Sequence, residues 1–355
     1  MIIETNFCGG NAANITVDGD IVKFTPDLRD TTEKWFYWAI RVRGAAGRTI
    51  RFEPGWVGYF GAAVSHDLEN WQWSGNASDG GFTYTFGEAE NVVYFAHDML
   101  YHPSRFEKFA EERGLFVKTC CSDNKGAPMR YLTVGKGEKR IILTARHHAC
   151  ESTGDYVMEG IIDEFMKSPI ENCRIIAIPF IDADGVAAGD QGKARAPHDH
   201  NRDYEEFLYN GTKFVKTLMD EGGVVAVFDL HSPWHSGGRN DKVFCVRNNL
   251  ETIDKMRFFG RCFEETITPG AMKYSSSNDI DPGVDWNRGG KHIACASYCS
   301  DYPGVELSFT LETTYFGEPG NIVSQDKLVE TGRCFLNAFR RYLTLKNINL
   351  REKTI

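Results

Sequence analysis

Arg140-Ile-Ile-Leu-Thr-Ala-Arg-His-His-Ala-Cys-Glu151 reads as a buried strand that runs directly into polar, metal-capable side chains. Its apolar part, residues 140–145, does not alternate, which is the pattern of a strand covered on both faces. Downstream the same theme repeats. Gly154 to Met166 has helical periodicity, Cys173-Arg-Ile-Ile-Ala-Ile-Pro-Phe is a strand, Phe207 to Glu221 is helical, and Val224-Val-Ala-Val-Phe-Asp-Leu is a buried strand. This alternation predicts an α/β domain with a mostly parallel or mixed central sheet.

Upstream the character differs. Ser104-Arg-Phe-Glu-Lys-Phe-Ala-Glu-Glu-Arg reads as a capped amphipathic helix that opens the second half. Before it lie short strand candidates with regular turns. Ile15-Thr-Val-Asp-Gly-Asp-Ile-Val-Lys-Phe turns at Asp18-Gly19, Trp35-Phe-Tyr-Trp-Ala-Ile-Arg-Val-Arg breaks at Gly44, and Gly81-Phe-Thr-Tyr-Thr-Phe and Val92-Val-Tyr-Phe-Ala-His follow. That pattern predicts an N-terminal antiparallel β-sandwich over residues 1–104, followed by an α/β domain over residues 105–355. The tryptophans between Trp35 and Trp73 suit a sandwich core, with a carbohydrate platform as the alternative reading.

The 355 residues allow about two domains. Apolar residues at 42% and charged residues at 25% describe an ordinary soluble globular chain. Lys plus Arg is 40 against 49 for Asp plus Glu, a net charge of -9, which argues against general nucleic-acid binding. No apolar run approaches the roughly 18 residues of a membrane span. The start, Met1-Ile-Ile-Glu-Thr-Asn, lacks a basic stretch followed by an apolar one, so no secretory signal is expected. The ten cysteines form no CxxC pair and are expected to be free thiols in a reducing, cytoplasmic setting.

Seven of the ten histidines fall between His147 and His292. His148 and Glu151 are three residues apart just past a strand, where one turn can aim both at a single cation. His231 ends a buried strand, at the edge where open α/β sheets place their ligands. Together they make a two-histidine, one-glutamate set, and catalytic zinc takes three such protein ligands plus water. Asp199-His-Asn-Arg-Asp203 follows a loop with Gly and Pro, and an arginine there can grip a carboxylate with two parallel hydrogen bonds. Val305-Glu-Leu-Ser-Phe-Thr-Leu-Glu312 alternates as a strand and ends in a carboxylate that can serve as a general base.

The order of these pieces, His-x-x-Glu, an Asp-Gly-Val turn, Asp-x-Asn-Arg, strand-His-Ser and Thr-Leu-Glu, resembles the zinc metallocarboxypeptidases, specifically the cytosolic-carboxypeptidase-like subfamily with an N-terminal β-sandwich. The resemblance covers nearly the whole chain. It implies one Zn2+ per chain on His148, Glu151 and His231, with Glu312 as general base. Asn201 and Arg202 match the pair that holds the substrate's terminal carboxylate, and Asp199 matches the carboxylate that orients the His148 ring. The implied activity is release of the C-terminal residue of a peptide by Glu-assisted attack of zinc-bound water. The partner is then a peptide or small amino-acid conjugate with a free carboxylate, with neither nucleic acid nor membrane involved.

The chain departs from the pattern at several points. The usual His-Pro-Gly-Glu is His148-Ala-Cys-Glu151, where Cys150 either packs or adds a thiol near the metal. The usual Asn-Pro-Asp-Gly is Asp182-Ala-Asp184-Gly185. Counting back nine residues from Asn201 to the expected carbonyl-polarising arginine gives Gly192. Lys193 and Arg195 are the basic residues nearby, and Arg195 is the favoured candidate. For the mobile tyrosine of the family, Tyr298 and Tyr302 are available, with Tyr302 taken as the substrate-facing residue. Arg288, Lys291 and His292 could favour acidic C-terminal residues or be a solvated loop. Two other functions share these residues: a zinc amidase or deacylase acting on N-acyl amino acids or cell-wall peptides, and an inactive binding module on the same fold.

Overall fold

The computed structural model describes residues 1–287 and 293–352. Nine short strands come first: β1 (Ile2–Glu4), β2 (Ala13–Asp18), β3 (Ile21–Thr25), β4 (Ala39–Arg43), β5 (Thr49–Glu53), β6 (Ala63–Ser65), β7 (Gln72–Trp73), β8 (Phe82–Thr85) and β9 (Val92–Ala96). They form two sheets, ordered β1-β4-β9-β6-β7 and β2-β3-β5-β8. Every pairing is antiparallel except β3 with β5, which run parallel. The parallel pair arises because the chain leaves the second sheet to lay down β4 and re-enters from the same end.

Burial alternates along β3 and β5, so Val22, Phe24, Ile50 and Phe52 face inward while their neighbours do not. They meet Ile40, Val42 and Phe95 of the other sheet, and Trp38 stacks on Phe82 with ring centres 6.1 Å apart. The aromatic run from Trp35 does not extend β4, which begins at Ala39. The backbone of Tyr37 is instead taken by a side chain: its N–H donates to Gln191 Oε1 at 2.9 Å and its carbonyl accepts from Gln191 Nε2 at 2.8 Å.

Helix α1 (Pro103–Glu112) opens the second half. No side chain caps it. His102 precedes it in extended conformation, Pro103 occupies the first turn, and Ser104 lies inside the helix. Proline's fixed φ and missing N–H suit that first position, which displaces the serine cap read from the sequence. Then come β10 (Lys118–Ser122), β11 (Pro128–Gly135), β12 (Lys139–Ala145), α2 (Thr153–Lys167), β13 (Cys173–Ile178), α3 (Ala183–Ala188), α4 (Asn210–Asp220), β14 (Val224–His231), β15 (Phe244–Arg247), α5 (Ile253–Thr266), α6 (Cys295–Ser300), β16 (Leu307–Glu312) and α7 (Gln325–Glu352). Seven strands make one mixed sheet ordered β10-β11-β13-β12-β14-β16-β15. The four central strands are parallel, and the flanking pairings are antiparallel.

Both faces of this sheet are covered. Ile141, Leu143, Ala226, Phe228 and Phe309 pack on the side of α2, α5 and α7, while Ile142, Ile176 and Val227 pack against α4 and α6. Helices α2 and α7 cross very closely. A Cβ at Gly160 would lie 1.8 Å from the Val329 carbonyl oxygen, and one at Gly332 would lie 2.0 Å from that of Val157. Helix α4 begins at Asn210 rather than Phe207. Phe207 has φ +53, and Asp203 accepts hydrogen bonds from the Leu208 and Tyr209 N–H groups, which holds the preceding segment as a turn. Among the described residues no helix is long and apolar enough to cross a membrane.

Parallel register decides where the chemistry gathers. Ala145 pairs with Leu230 and His231 with Glu312, so β12, β14 and β16 end together at one edge of the sheet. That is the edge at which open α/β sheets bind ligands.

Candidate metal centre

The chain leaves β12 through Arg146, which has φ +58 and is buried. Its guanidinium donates to the Ala149 carbonyl at 2.7 Å, to Ser152 Oγ at 3.0 Å and to Asp155 at 3.1 Å. One buried cation thereby ties residues 146–155 into a compact turn. That turn brings His148 Nδ1 to 2.8 Å from Glu151 Oε1. The other oxygen of Glu151 lies 2.6 Å from His231 Nδ1, and the two Nδ1 atoms are 3.2 Å apart.

These spacings fit a cation. Nitrogens held at about 2.0–2.1 Å around tetrahedral zinc stand roughly 3.3 Å from each other. Two imidazole nitrogens facing one another across a shared carboxylate form a donor set suited to one divalent ion. Burial works against charge on Glu151, but His148 and His231 together outweigh it and hold its carboxyl below the usual range.

Further groups orient the ligands. Asp229 Oδ2 lies 2.8 Å from His231 Nε2, and its other oxygen accepts from Thr144 Oγ1 at 2.7 Å. His147, packed beneath, lies 2.8 Å from Asp229 and 2.7 Å from the Tyr204 hydroxyl. Burial opposes charge on His147, yet Asp229 raises its imidazole to about 9. Tyr204, His147, Asp229 and His231 thus form one polar chain, which fixes the His231 ring from behind. Neither Asp229 nor Arg146 was singled out from sequence. The signal for Asp229 is its spacing: two residues before His231 on a strand, it shares that residue's face.

Asp199, Asn201 and Glu312 come to the same place, with Arg202 beside Asn201 in the chain. Asp199 Oδ1 is 3.6 Å from His148 Nε2. Burial opposes its charge, but His148, then Lys193 and Arg202, draw its carboxyl well down. The Asn201 amide nitrogen lies 3.1 Å from His231 Nε2, and its Oδ1 accepts the Cys295 N–H at 2.9 Å. Arg202 is exposed and donates to the Asn201 carbonyl at 2.8 Å. Glu312 is 7% exposed and its Oε2 has no hydrogen-bond partner among the described residues. Burial, with Glu151 adding and His231 and Lys193 opposing, pushes its carboxyl up to about 7. A carboxyl poised near neutral pH can both take and return a proton.

Two expected residues are elsewhere. Arg195 does not reach the cluster. Its guanidinium lies 2.8 Å from Asp182, 3.1 Å from Asp30 and 3.2 Å from Asp190, and this cage of carboxylates holds it away. Lys193 does reach it, with its Nζ 3.2 Å from His148 Nε2. Tyr302 hydrogen-bonds to Asp220 at 2.7 Å and pairs with the Tyr298 hydroxyl, at the end of the sheet where β14 and β16 begin, opposite the ligands. Cys150 is buried with its sulfur 3.7 Å from the Tyr315 hydroxyl. Arg288, Lys291 and His292 lie outside the described residues.

No protein-family model matches the chain. In sequence it is 26% identical over 256 residues to an uncharacterized protein of Zymomonas mobilis, an alignment covering 64% of this chain and 67% of that one. It is 26% identical over 278 residues to cytosolic carboxypeptidase 2 of Xenopus tropicalis, covering 66% of this chain and 27% of the relative. With cytosolic carboxypeptidase 2 of Danio rerio the identity is 24% over 291 residues, covering 72% and 39%. The chain thus spans well under half the length of these two carboxypeptidases. Among solved structures, the metallo-carboxypeptidase of Burkholderia cenocepacia superposes with a TM-score of 0.79 at 18% identity, covering 97% of this chain and 99% of that one. The metallo-carboxypeptidase of Pseudomonas aeruginosa, in complex with (2-guanidinoethylmercapto)succinic acid, gives 0.77 at 19% identity, covering 97% and 99%. At such identities the likeness is one of fold.

Proposed function

We propose that this chain, which is similar in sequence to the cytosolic carboxypeptidases and has the metallocarboxypeptidase fold, is a zinc-dependent carboxypeptidase that removes the C-terminal residue from peptides. One observation carries the reading: the Nδ1 atoms of His148 and His231 and both oxygens of Glu151 converge beside a buried carboxyl, Glu312, that has an oxygen without a partner among the described residues. When bound by those three residues, zinc would polarise the scissile carbonyl and lower the pKa of a water.

The chain's own residues supply the rest. Glu312 takes a proton from the attacking water and passes it to the leaving amine. Arg202 holds the terminal carboxylate, with Asn201 beside it fixing the turn against His231. Asp199 orients the His148 ring. Lys193, rather than Arg195, supports negative charge developing on the carbonyl oxygen. The division into a sandwich over residues 1–104 and a catalytic part over residues 105–355 belongs to the same proposal. So does a cytoplasmic location, which the name of the cytosolic relatives supports.

The test is hydrolysis of a short-peptide library by the zinc-loaded chain, each peptide made with a free and with an amidated C-terminus. Loss of single residues from free ends only is expected. Cleavage that ignores amidation would remove Arg202 from its role. Cleavage of N-acetyl amino acids in preference to peptides would convert the reading to a deacylase.

A further inference from the structure

The turn that presents Asp199 and Asn201 to the zinc ligands sends His200 the other way. His200 lines a separate cavity of about 630 Å3 between the sandwich and the loops before α3 and α4. Five aspartates and three cationic side chains line it, so the cavity carries a net negative charge. Arg195 takes Asp30, Asp182 and Asp190, and Arg29 also reaches Asp190. Asp123 has no ion pair among the described residues. Its oxygens accept only the N–H groups of Asn124 at 2.9 Å and Asp184 at 3.0 Å.

His200 is the independent sign of a ligand. It is 2% exposed, and its ring stacks on Tyr209 with centres 3.8 Å apart. Neither ring nitrogen has a hydrogen-bond partner among the described residues, and Nδ1 is 3.8 Å from Asp182 Oδ2, too far to bond. Leaving a buried polar group unpaired costs roughly 1–3 kcal/mol. Asp123, Asp182 and His200 can each offer one ligand atom, and those atoms all lie within 4.8 Å of one another. Ligand atoms held at about 2.0–2.2 Å from one ion stand roughly 3–4.4 Å apart, so modest closure would seat one.

We propose that Asp123, Asp182 and His200 form a second cation site, taking a divalent first-row ion such as Zn2+ or Mn2+. Imidazole with two carboxylates favours these over Mg2+ and Ca2+, which prefer all-oxygen surroundings. Backbone N–H groups fix both carboxylates, Asp182 Oδ1 accepting from Gly185 at 2.9 Å, while Asp182 Oδ2 faces His200 and also pairs with Arg195 at 2.8 Å, so a bound ion would share that oxygen with the guanidinium. Burial, opposed by the Asp184 N–H and with Asp182 adding, pushes the Asp123 carboxyl up to about 6. The ion would anchor the turn that holds Asp199 against His148.

The experiment is metal analysis of the intact chain after saturation with Zn2+ and removal of free ion, together with Mn2+ titration followed by calorimetry. Wild type is expected to hold two ions per chain. His200→Gln and Asp182→Asn should each leave one, with affinity at the lost site falling by roughly a hundredfold or more. His148→Gln should remove the other ion only. If His200→Gln does not fold, Asp182→Asn carries the test, since it keeps side-chain volume and the acceptor for Gly185. A single ion in wild type, lost in His148→Gln and untouched by His200→Gln and Asp182→Asn, would overturn the second site and leave the catalytic reading standing. A single ion lost only in His200→Gln would support this site and count against the catalytic metal.

Discussion

Glu312 is defined by what surrounds it rather than by its type. A strand-end glutamate is usually solvated, but this one is buried beside Glu151 with an oxygen unpaired among the described residues. Glu312→Gln keeps the shape and removes the proton acceptor. It should leave bound zinc unchanged while turnover falls by about 10²–10⁴-fold, checked by metal content and single-substrate kinetics on one preparation. Lys193→Met should lower kcat by about 10²-fold with little change in zinc content, since it removes charge near the reacting carbonyl. Asp98 offers a pH prediction. It is fully buried, and burial, opposed by Arg146, pushes its carboxyl up to about 7, against roughly 3.9 in an unfolded chain. The folded state therefore holds a proton that the unfolded state has released between those values, and stability is lost as pH rises through that window. Asp98→Asn should be more stable than wild type at pH 7 by about 1–3 kcal/mol, with the gap closing toward pH 4 in denaturant titrations. That His148, Glu151, His231, Glu312 and Asp199 come together was legible from sequence because their spacing survives folding. The cation was not, since Lys193 and Arg195 differ only in which carboxylates the fold gathers around them.

Among the elements, the parallel strands were the most legible. β12 carries Ile141-Ile-Leu143 and β14 carries Val224-Val-Ala-Val-Phe228 without alternation, the pattern of a strand covered on both faces. Boundaries were less so. The start of α4 moved because Asp203 claims two backbone N–H groups, and β4 lost its aromatic run because Gln191 claims the Tyr37 backbone. The first bonds are local and the second span 154 residues, but both run from side chain to backbone, to which periodicity is blind. The crossing of α2 and α7 was invisible for a related reason: Gly160 and Gly332 lie far apart in sequence and matter only where two helices meet. Gly160→Ala should force that pair apart and lower stability by about 1–3 kcal/mol, read from the thermal midpoint, although alanine is the better helix former.

At the scale of the whole molecule, the sandwich takes part in building the site. Trp35 packs edge-on to Trp234, three residues past His231, with ring centres 4.8 Å apart, and Lys193 Nζ lies 5.9 Å from the Trp35 ring centre. Trp234 is 41% exposed, so this aromatic pair reaches the surface beside the ligands. Trp35→Ala should leave zinc content intact while lowering kcat/KM by about tenfold or more, by loosening the support behind Lys193, as measured on a peptide cleaved well by wild type. The loop that carries Lys193 is held to the first half of the chain by Asn11 to the Gly189 carbonyl at 2.7 Å, by Gln191 on Tyr37, and by Asp30 accepting the Gly192 N–H at 2.8 Å.

Asp30, from the first half, is one of the three carboxylates around Arg195. The two halves are therefore poor units of exchange. A recombinant that joins this chain's residues 105–355 to an unrelated leading domain would inherit a guanidinium short of a partner and a loop without its moorings.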